Sequence, residues 1–360
     1  MLLRIILVLL LVVTIYVANA FANPIPQREF DLNFRPQYGV TYSFEQAGWY
    51  GLDHQSSYIK LLDEVKFDWV RLPFFWDQMI WNGELKIEGL EFAIKEADKR
   101  GVKVIVVLGA KTPYYPEFHL PANVRSTIRF GDRLTLDHPI AKDLLDVDRA
   151  VVKKLSVYDN IIYWQVENEP LIGNVNRWKF DPDLIATEVE VVRQNDPKKR
   201  PVILNHAATG FNDTSWKELL PILKVGDVFA VNAFFKTKGT DLFSAKLAGR
   251  EIHILWPDHL VWPVHSWIYL SPNFDAIKKE VEEAGFRLWV LEMQAEPYIK
   301  KLDEAVDPLL SFESADIAAA ERFLRSYQIE SVGLWGAHFW QYRESLGDDS
   351  WMRTVKEIVN

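Results

Sequence analysis

Helical and extended periods alternate along most of this chain. Phe92–Gly101 (FAIKEADKRG) gathers its apolar side chains on one face of a 3.6-residue repeat and stops at a glycine. The run that follows, Val102–Ala110 (VKVIVVLGA), is apolar and β-branched. Phe274–Gly285 (FDAIKKEVEEAG) and the strand leading to Glu292 repeat the design, as do Ile317–Glu330 (IAAAERFLRSYQIE) and Ser331–Gly336 (SVGLWG), the last pair without a glycine stop. A glycine just past the last turn supplies the left-handed cap that ends a helix. Short, nearly continuous apolar strands between helices predict a parallel sheet covered on both faces.

Eight such strands begin near Tyr38, Trp69, Val102, Ile161, Pro201, Val228, Leu288 and Ser331. Eight strands in one chain favour an α/β fold closed as a single (β/α)8 TIM barrel over an open doubly wound sheet. The nucleotide-binding alternative also lacks its signatures, since neither G-x-G-x-x-G nor G-x-x-x-x-G-K-[ST] occurs. Residues 37–360 read as one catalytic domain with an extended loop insertion after the sixth strand, from Lys236 to Pro272. Residues 21–36 contain three prolines and no sustained period, a linker or a wrap across the barrel floor. Residues 1–20 read as a signal peptide: Arg4, an apolar run from Ile5 to about Val17, then Ala18-Asn-Ala20. The run is shorter than the ~20 residues of a membrane span. An uncleaved N-terminal anchor is the alternative, and the leader is the only means of membrane attachment. Either way the protein is expected to be exported.

Composition narrows the function. A net charge of −9 gives no basic face for nucleic acid. With no cysteine there is no disulfide, no thiolate nucleophile and no thiolate zinc site. Neither H-E-x-x-H nor His-x-His is present, so no metal and no cofactor are expected. Asp348 and Asp349 read as a turn. Fourteen Trp exceed what packing requires, and aromatic rings offer flat surfaces to the C–H faces of sugars. Trp76, Trp81, Trp256, Trp262 and Trp267 are candidate platforms or packing residues, while Trp49 and Trp216 read as core.

In such a barrel the chemistry sits at the C-terminal strand ends. Those ends carry Arg71, the stretch Lys111–His119, Asn168-Glu169-Pro170, Asn232–Phe235, Glu292 and Trp335. Two carboxylates across a barrel mouth suit glycosidic bond hydrolysis, where one protonates the leaving oxygen and the other attacks the anomeric carbon or activates water. Strand parity alone does not separate Glu169 from Glu167, and Glu296 competes with Glu292 but lies beyond the strand end.

The segments WQVENEP (164–170), LWVLEMQAEP (288–297) and GLWGAHFW (333–340) resemble the (β/α)8 retaining glycoside hydrolases of the clan that contains the cellulase and β-mannanase family 5. The resemblance implies Glu169 as acid/base and Glu292 as nucleophile, with carboxyl groups ~5–5.5 Å apart. It implies Asn168 as partner of the sugar 2-hydroxyl and Arg71 as partner of the nucleophile. Arg71 as a structural ion-pair residue is the alternative. Trp335 matches the floor under the attacked sugar, and Trp340 either extends that floor or is a packing residue. Family members place a His and a Tyr near the sixth strand; VNAFFKT offers neither, which leaves His265, Tyr269 or His253 of the insertion as candidate substitutes, and Asn232 is the substrate-binding candidate of that strand. His119 is read either as a subsite hydrogen-bonder or as the clamp of its Pro-rich loop.

These features lead to the expectation of a retaining hydrolase of a β-linked oligo- or polysaccharide that works by double displacement. No protein partner is implied. The alternatives are a non-catalytic carbohydrate-binding or cell-wall protein on an inactivated barrel, and a transglycosylase that uses the same residues.

Overall fold

The computed structural model describes residues 33–360 except 82, 174, 208–212, 238–240, 248–249, 256–261, 264–272, 300 and 307–310, and before them only 8, 10, 11, 13, 14 and 31. Most of the expected leader and linker, and much of the insertion, therefore lie outside the described residues. Among these residues no helix is long and apolar enough to cross a membrane.

Eight parallel strands close into a barrel: β1 (Gln37–Thr41), β2 (Trp69–Pro73), β3 (Lys103–Leu108), β4 (Ile161–Val166), β5 (Val202–His206), β6 (Val228–Ala233), β7 (Arg287–Gln294) and β8 (Ser331–Trp335). They are hydrogen-bonded in sequence order, and β8 pairs with β1 to complete the ring. Helices α1 (His54–Glu64), α2 (Glu88–Lys99), α3 (Ile140–Leu155), α4 (Pro182–Asn195), α5 (Phe274–Glu283), α6 (Ser314–Arg325), α7 (Ala337–Ser345) and α8 (Ser350–Val359) cover the outside, and a 3-10 helix (Ser215–Ile222) serves after β5. Gly101 and Gly285 take the left-handed conformation past α2 and α5, as their positions predict. After α6 that conformation falls to Gln328, with φ 53°. The insertion after β6 contains an antiparallel hairpin, Asp241–Leu247 with Arg250–Leu255.

The barrel interior is layered, and the period of two decides how. Trp69, Tyr163, Ile203 and Ala230 pack together inside the ring with Trp289 and Leu291. Gly39 and Gly333 make room for Trp69: a Cβ on Gly39 would lie 2.0 Å from its indole, and one on Gly333 2.6 Å from it. The Trp69 N–H donates to Ser331 Oγ at 2.8 Å, so the plug leaves no orphaned donor. Two residues further along the same strands, on the same face, stand Arg71, Gln165, Asn205 and Asn232. The apolar layer is thus a floor, and a buried polar layer lies directly above it.

Strand β7 departs from this parity. Val231 pairs with Val290, but the next residue, Asn232, pairs with Glu292, so Leu291 is skipped. A bulge of this kind re-aims the side chain that follows it. Here it brings Glu292 level with the polar layer.

Candidate active site

Arg71 is the hub. Its guanidinium is fully buried, and each nitrogen is engaged. Nε donates to Gln165 Oε1 (2.7 Å), Nη1 to Glu292 Oε1 (2.6 Å) and Thr41 Oγ1 (3.4 Å), and Nη2 to Asn168 Oδ1 (2.8 Å). A planar fork with fixed donor directions suits this task, and an ammonium could not reach all four acceptors. Asn168 Oδ1 also accepts from Asn205 Nδ2 at 2.9 Å, which fixes the amide orientation. Its Nδ2 is left without a hydrogen bond among the described residues and can donate to a ligand.

Glu169 lies outside this guanidinium network. Asn232 Nδ2 donates to its Oε1 at 2.7 Å, and Asn205 Oδ1 accepts from its backbone N–H at 2.9 Å. Lys111, also fully buried, donates Nζ–H to the carbonyls of Glu169 and Ile172, both at 2.9 Å. The chain reverses sharply here: Glu167 and Glu169 both have positive φ, 57° and 50°. Strand geometry ends at Val166, which is why alternation could not choose between the two acids.

The two acids then diverge. Glu167 turns into the wall, where its carboxylate accepts from Ala110 N (2.8 Å) and Lys111 N (2.6 Å). Gly109, at φ 108°, is required beside it, since a Cβ there would lie 2.3 Å from that carboxylate. Glu169 instead feels the charge of Glu292.

The electrostatics of the pair are asymmetric. Burial raises Glu292 above its ordinary value, and the touching Arg71 guanidinium opposes that rise. Burial pushes Glu169 up to about 7, helped by the charges of Glu292 and Glu117 and opposed by Lys111 and Asn232. Two nearby carboxyls in one desolvated site do not ionise together, and the one against the arginine ionises first. Arg71 therefore favours the charged form of Glu292, while burial favours the protonated form of Glu169.

Other expectations change. Trp340 is fully buried in α7 and donates Nε1–H to the Ala295 carbonyl at 2.7 Å, so it is a packing residue and offers no floor to a sugar. His119 is buried, stacked on Phe75 at 3.9 Å with Nδ1 3.6 Å from Asp77, so it clamps its own loop and does not face a ligand. Trp76 and Trp216 are core, whereas Trp49, expected in the core, is 41% exposed. His265, Tyr269, Trp256 and Trp267 lie outside the described residues, as do the side chains of His253, Trp262 and Trp81. Glu296 follows the end of β7, and burial pushes it up to about 8 despite a hydrogen bond from the Trp335 side chain. Trp335, expected as the floor under the attacked sugar, stands at the tip of β8 with the ring of Tyr114 stacked on it at 4.4 Å, so that face is closed to a sugar. Thr41, Gln165 and Asn205 belong to the site but escaped the sequence reading, and Lys111 and Tyr114 entered it only within the stretch Lys111–His119, without a role of their own. The signal for Gln165 and Asn205 was the two-residue step from an inward apolar residue to a polar strand end.

Residues 27–241, more than half of the chain, match the family model described as Cellulase (glycosyl hydrolase family 5). Among solved structures, GH5_18 from Streptomyces cattleya in complex with GlcNAc is similar, with 15% identity, 84% of this chain and 70% of that chain covered, and a TM-score of 0.54. A GH5-4 broad specificity endoglucanase from an uncultured bovine rumen ciliate shares 14% identity over 85% of each chain, with a TM-score of 0.51. A β-glucosidase from Exiguobacterium marinum shares 13% identity over 86% of this chain and 89% of that one, with a TM-score of 0.50. At such identities the structural likeness is one of fold. No curated protein matches the chain. By its family model, the chain belongs to the cellulase family, glycosyl hydrolase family 5, and is a retaining glycoside hydrolase.

Proposed function

We propose that the protein hydrolyses a β-linked glycan by double displacement, with Glu292 as nucleophile and Glu169 as general acid and base. The observation that carries this reading is the unequal environment of the two carboxyls. Glu292 touches Arg71 at 2.6 Å, while Glu169 pairs with no arginine among the described residues and is pushed up to about 7. A nucleophile must be ionised and an acid must hold its proton.

In the first step a Glu292 oxygen attacks the anomeric carbon. The bond to the leaving oxygen breaks, its electron pair stays on that oxygen, and the Glu169 proton is transferred to it. In the second step Glu169, now a carboxylate, takes a proton from water, whose oxygen displaces Glu292 from the anomeric carbon. Asn168 Nδ2 suits a hydrogen bond to the 2-hydroxyl of the attacked sugar. Asn232 Oδ1, buried without a partner among the described residues, suits a hydroxyl donor next to the leaving oxygen. The names of the similar structures, an endoglucanase and a β-glucosidase, support a β-glucoside-like substrate class.

Azide rescue with an aryl β-glycoside tests the roles. Glu292→Ala with azide should yield the α-glycosyl azide, because a single displacement inverts the anomeric centre. Glu169→Ala should yield the β-glycosyl azide, after two displacements. The opposite pairing, or an active Glu292→Ala enzyme without azide, would overturn the assignment. An acceptor sugar added to the wild-type assay reports transfer in place of hydrolysis.

A further inference from the structure

The segment between β3 and its helix reaches much further than a connection needs to. From Lys111 it crosses the mouth above β2 and sets the Tyr114 hydroxyl on the Thr41 carbonyl of β1 at 3.0 Å. The Tyr114 ring lies on Trp335 of β8, centroids 4.4 Å apart and planes 28° apart, and meets His338 of α7 edge-on at 5.4 Å. It is also within electrostatic reach of Glu292 and Arg71. One loop of β3 therefore roofs the sector of the mouth above β8, β1 and β2.

That sector has a chemical meaning once the proton donor is assigned, and the inference rests on that assignment. Glu169 protonates the leaving oxygen, so the leaving group lies over β4. The attacked sugar lies between the Glu169 and Glu292 carboxyls, and sugars attached to its non-reducing side extend beyond it, away from β4 towards β8, β1 and β2. This is the sector that Tyr114 closes. On the other side, a cleft of about 180 Å³ opens among Leu171, Arg177, Lys179 and Ser215, beyond the tips of β4 and β5.

The separation of the two rings matters as well. Tyr114 and Trp335 sit at stacking distance, and a pyranose cannot enter the same gap. Nor is the loop loosely held. Lys111 is buried under it, Thr112 N donates to the Glu117 carbonyl (2.8 Å), Glu117 N to the Tyr114 carbonyl (2.7 Å) and His119 N to the Ala110 carbonyl (3.0 Å). These bonds oppose a swing of Tyr114 off the indole.

We propose that Tyr114 is the wall that limits the attacked-sugar side to one residue, so that the enzyme removes single sugars from the non-reducing end of a β-linked chain. Tyr114 is a specificity-determining residue in this scheme and takes no proton or bond.

The test uses the full chain and a matched pair of probes, a 4-nitrophenyl β-monoglycoside and the 4-nitrophenyl β-glycoside of the corresponding disaccharide. The wild-type enzyme should release nitrophenol from the first at once. From the second it should release the terminal sugar first and nitrophenol only after a lag. Tyr114→Ala should abolish the lag and release intact disaccharide, with its disaccharide-to-monosaccharide kcat/KM ratio raised at least about tenfold, while Tyr114→Phe, which keeps the ring, should retain the lag. Wild-type release of intact disaccharide without a lag, or rapid viscosity loss of a long β-glycan, would overturn the inference while leaving the hydrolase reading intact. A wild-type protein inert on every β-glycan and β-glycoside would instead overturn the proposed function, and this inference with it. Should Tyr114→Ala fail to fold, the wild-type product order decides alone.

Discussion

Asn232 donates to Glu169 across the barrel mouth at 2.7 Å while standing in strand register with Glu292. One amide thus spans the two carboxyls, and its N–H favours the ionised form of Glu169. Removing it in Asn232→Ala takes away a hydrogen bond to a charged group, a change of about one pKa unit or more. Because the bond stabilises the anion, its loss moves the Glu169 pKa upward. The alkaline limb of kcat/KM against pH is expected to shift up by about one unit, with the optimum rate lower by ~10- to 100-fold as the acid loses its orientation. An unshifted limb would separate Asn232 from the acid.

The same reasoning fixes the sign of the wild-type profile. Glu169 must hold a proton to act as acid, and it is pushed up to about 7. Activity should fall as pH rises through that value. Glu169→Gln should lose ~10²- to 10⁴-fold on a substrate with a poor leaving group. With a dinitrophenyl leaving group, which needs no protonation, the first step in this variant should lose its alkaline limb. Pre-steady-state release of dinitrophenol measures that step directly, and a limb that persists would assign the titration to another group.

Arg71 and Glu292 are both desolvated, with side-chain exposures of 0% and 7%. Removing one member of such a pair leaves a buried charge uncompensated, at a cost of about 3–5 kcal/mol. Arg71→Ala strands Glu292 and also unpairs Gln165 and Asn168. Arg71→Lys keeps the charge but loses the fork to Gln165 and Asn168. Both variants are expected to be nearly inactive, with Arg71→Lys the more stable of the two in urea unfolding. Equal stability of the two would show that the fork, and not the charge, holds the site together.

How much of this was legible beforehand follows the range of each interaction. The strands could be located because burial on both faces writes a continuous apolar run into local sequence, and the strand tips made Arg71, Asn168, Glu169 and Glu292 candidates, with the family resemblance, not periodicity, preferring Glu169 to Glu167. For Lys111 and Tyr114 the sequence showed a place in the rim stretch Lys111–His119 but no role. Their roles depend on where a loop folds back, which no periodicity encodes. Trp340 misled because a tryptophan near a sugar-binding strand has the same composition signal whether it faces solvent or, as here, wedges beneath a helix. The β7 bulge was invisible as well, although without it parity would leave Glu292 facing away from Asn232.

Beneath the site, Asp148 of α3, Glu188 of α4 and Glu167 at the tip of β4 are all fully buried, with Glu188 in hydrogen-bonding reach of the other two. Among the described residues no Lys or Arg side chain is among the main influences on the three. Burial raises all of them, Asp148 to about 7 and Glu167 to about 8, with Glu188 well above its ordinary value. Glu167 already accepts two backbone N–H groups, so the proton that joins the cluster belongs on Glu188, the member that supplies the donor. The unfolded carboxyls ionise near pH 4, whereas in the folded state Asp148 and Glu167 are pushed up to about 7 and about 8 and Glu188 is raised well above its ordinary value. Above about pH 4 and up to about 7 the folded state binds more protons than the unfolded one, so stability must fall as pH rises, with each retained proton contributing a slope of about 1.4 kcal/mol per pH unit. Glu188→Gln keeps an N–H donor for its neighbours and cannot ionise. Urea unfolding between about pH 5 and about pH 8 should therefore show the variant gaining on the wild type as pH rises. Parallel pH dependences in the two proteins would mean that Glu188 carries no titrating proton and that Asp148 and Glu167 are neutralised in some other way.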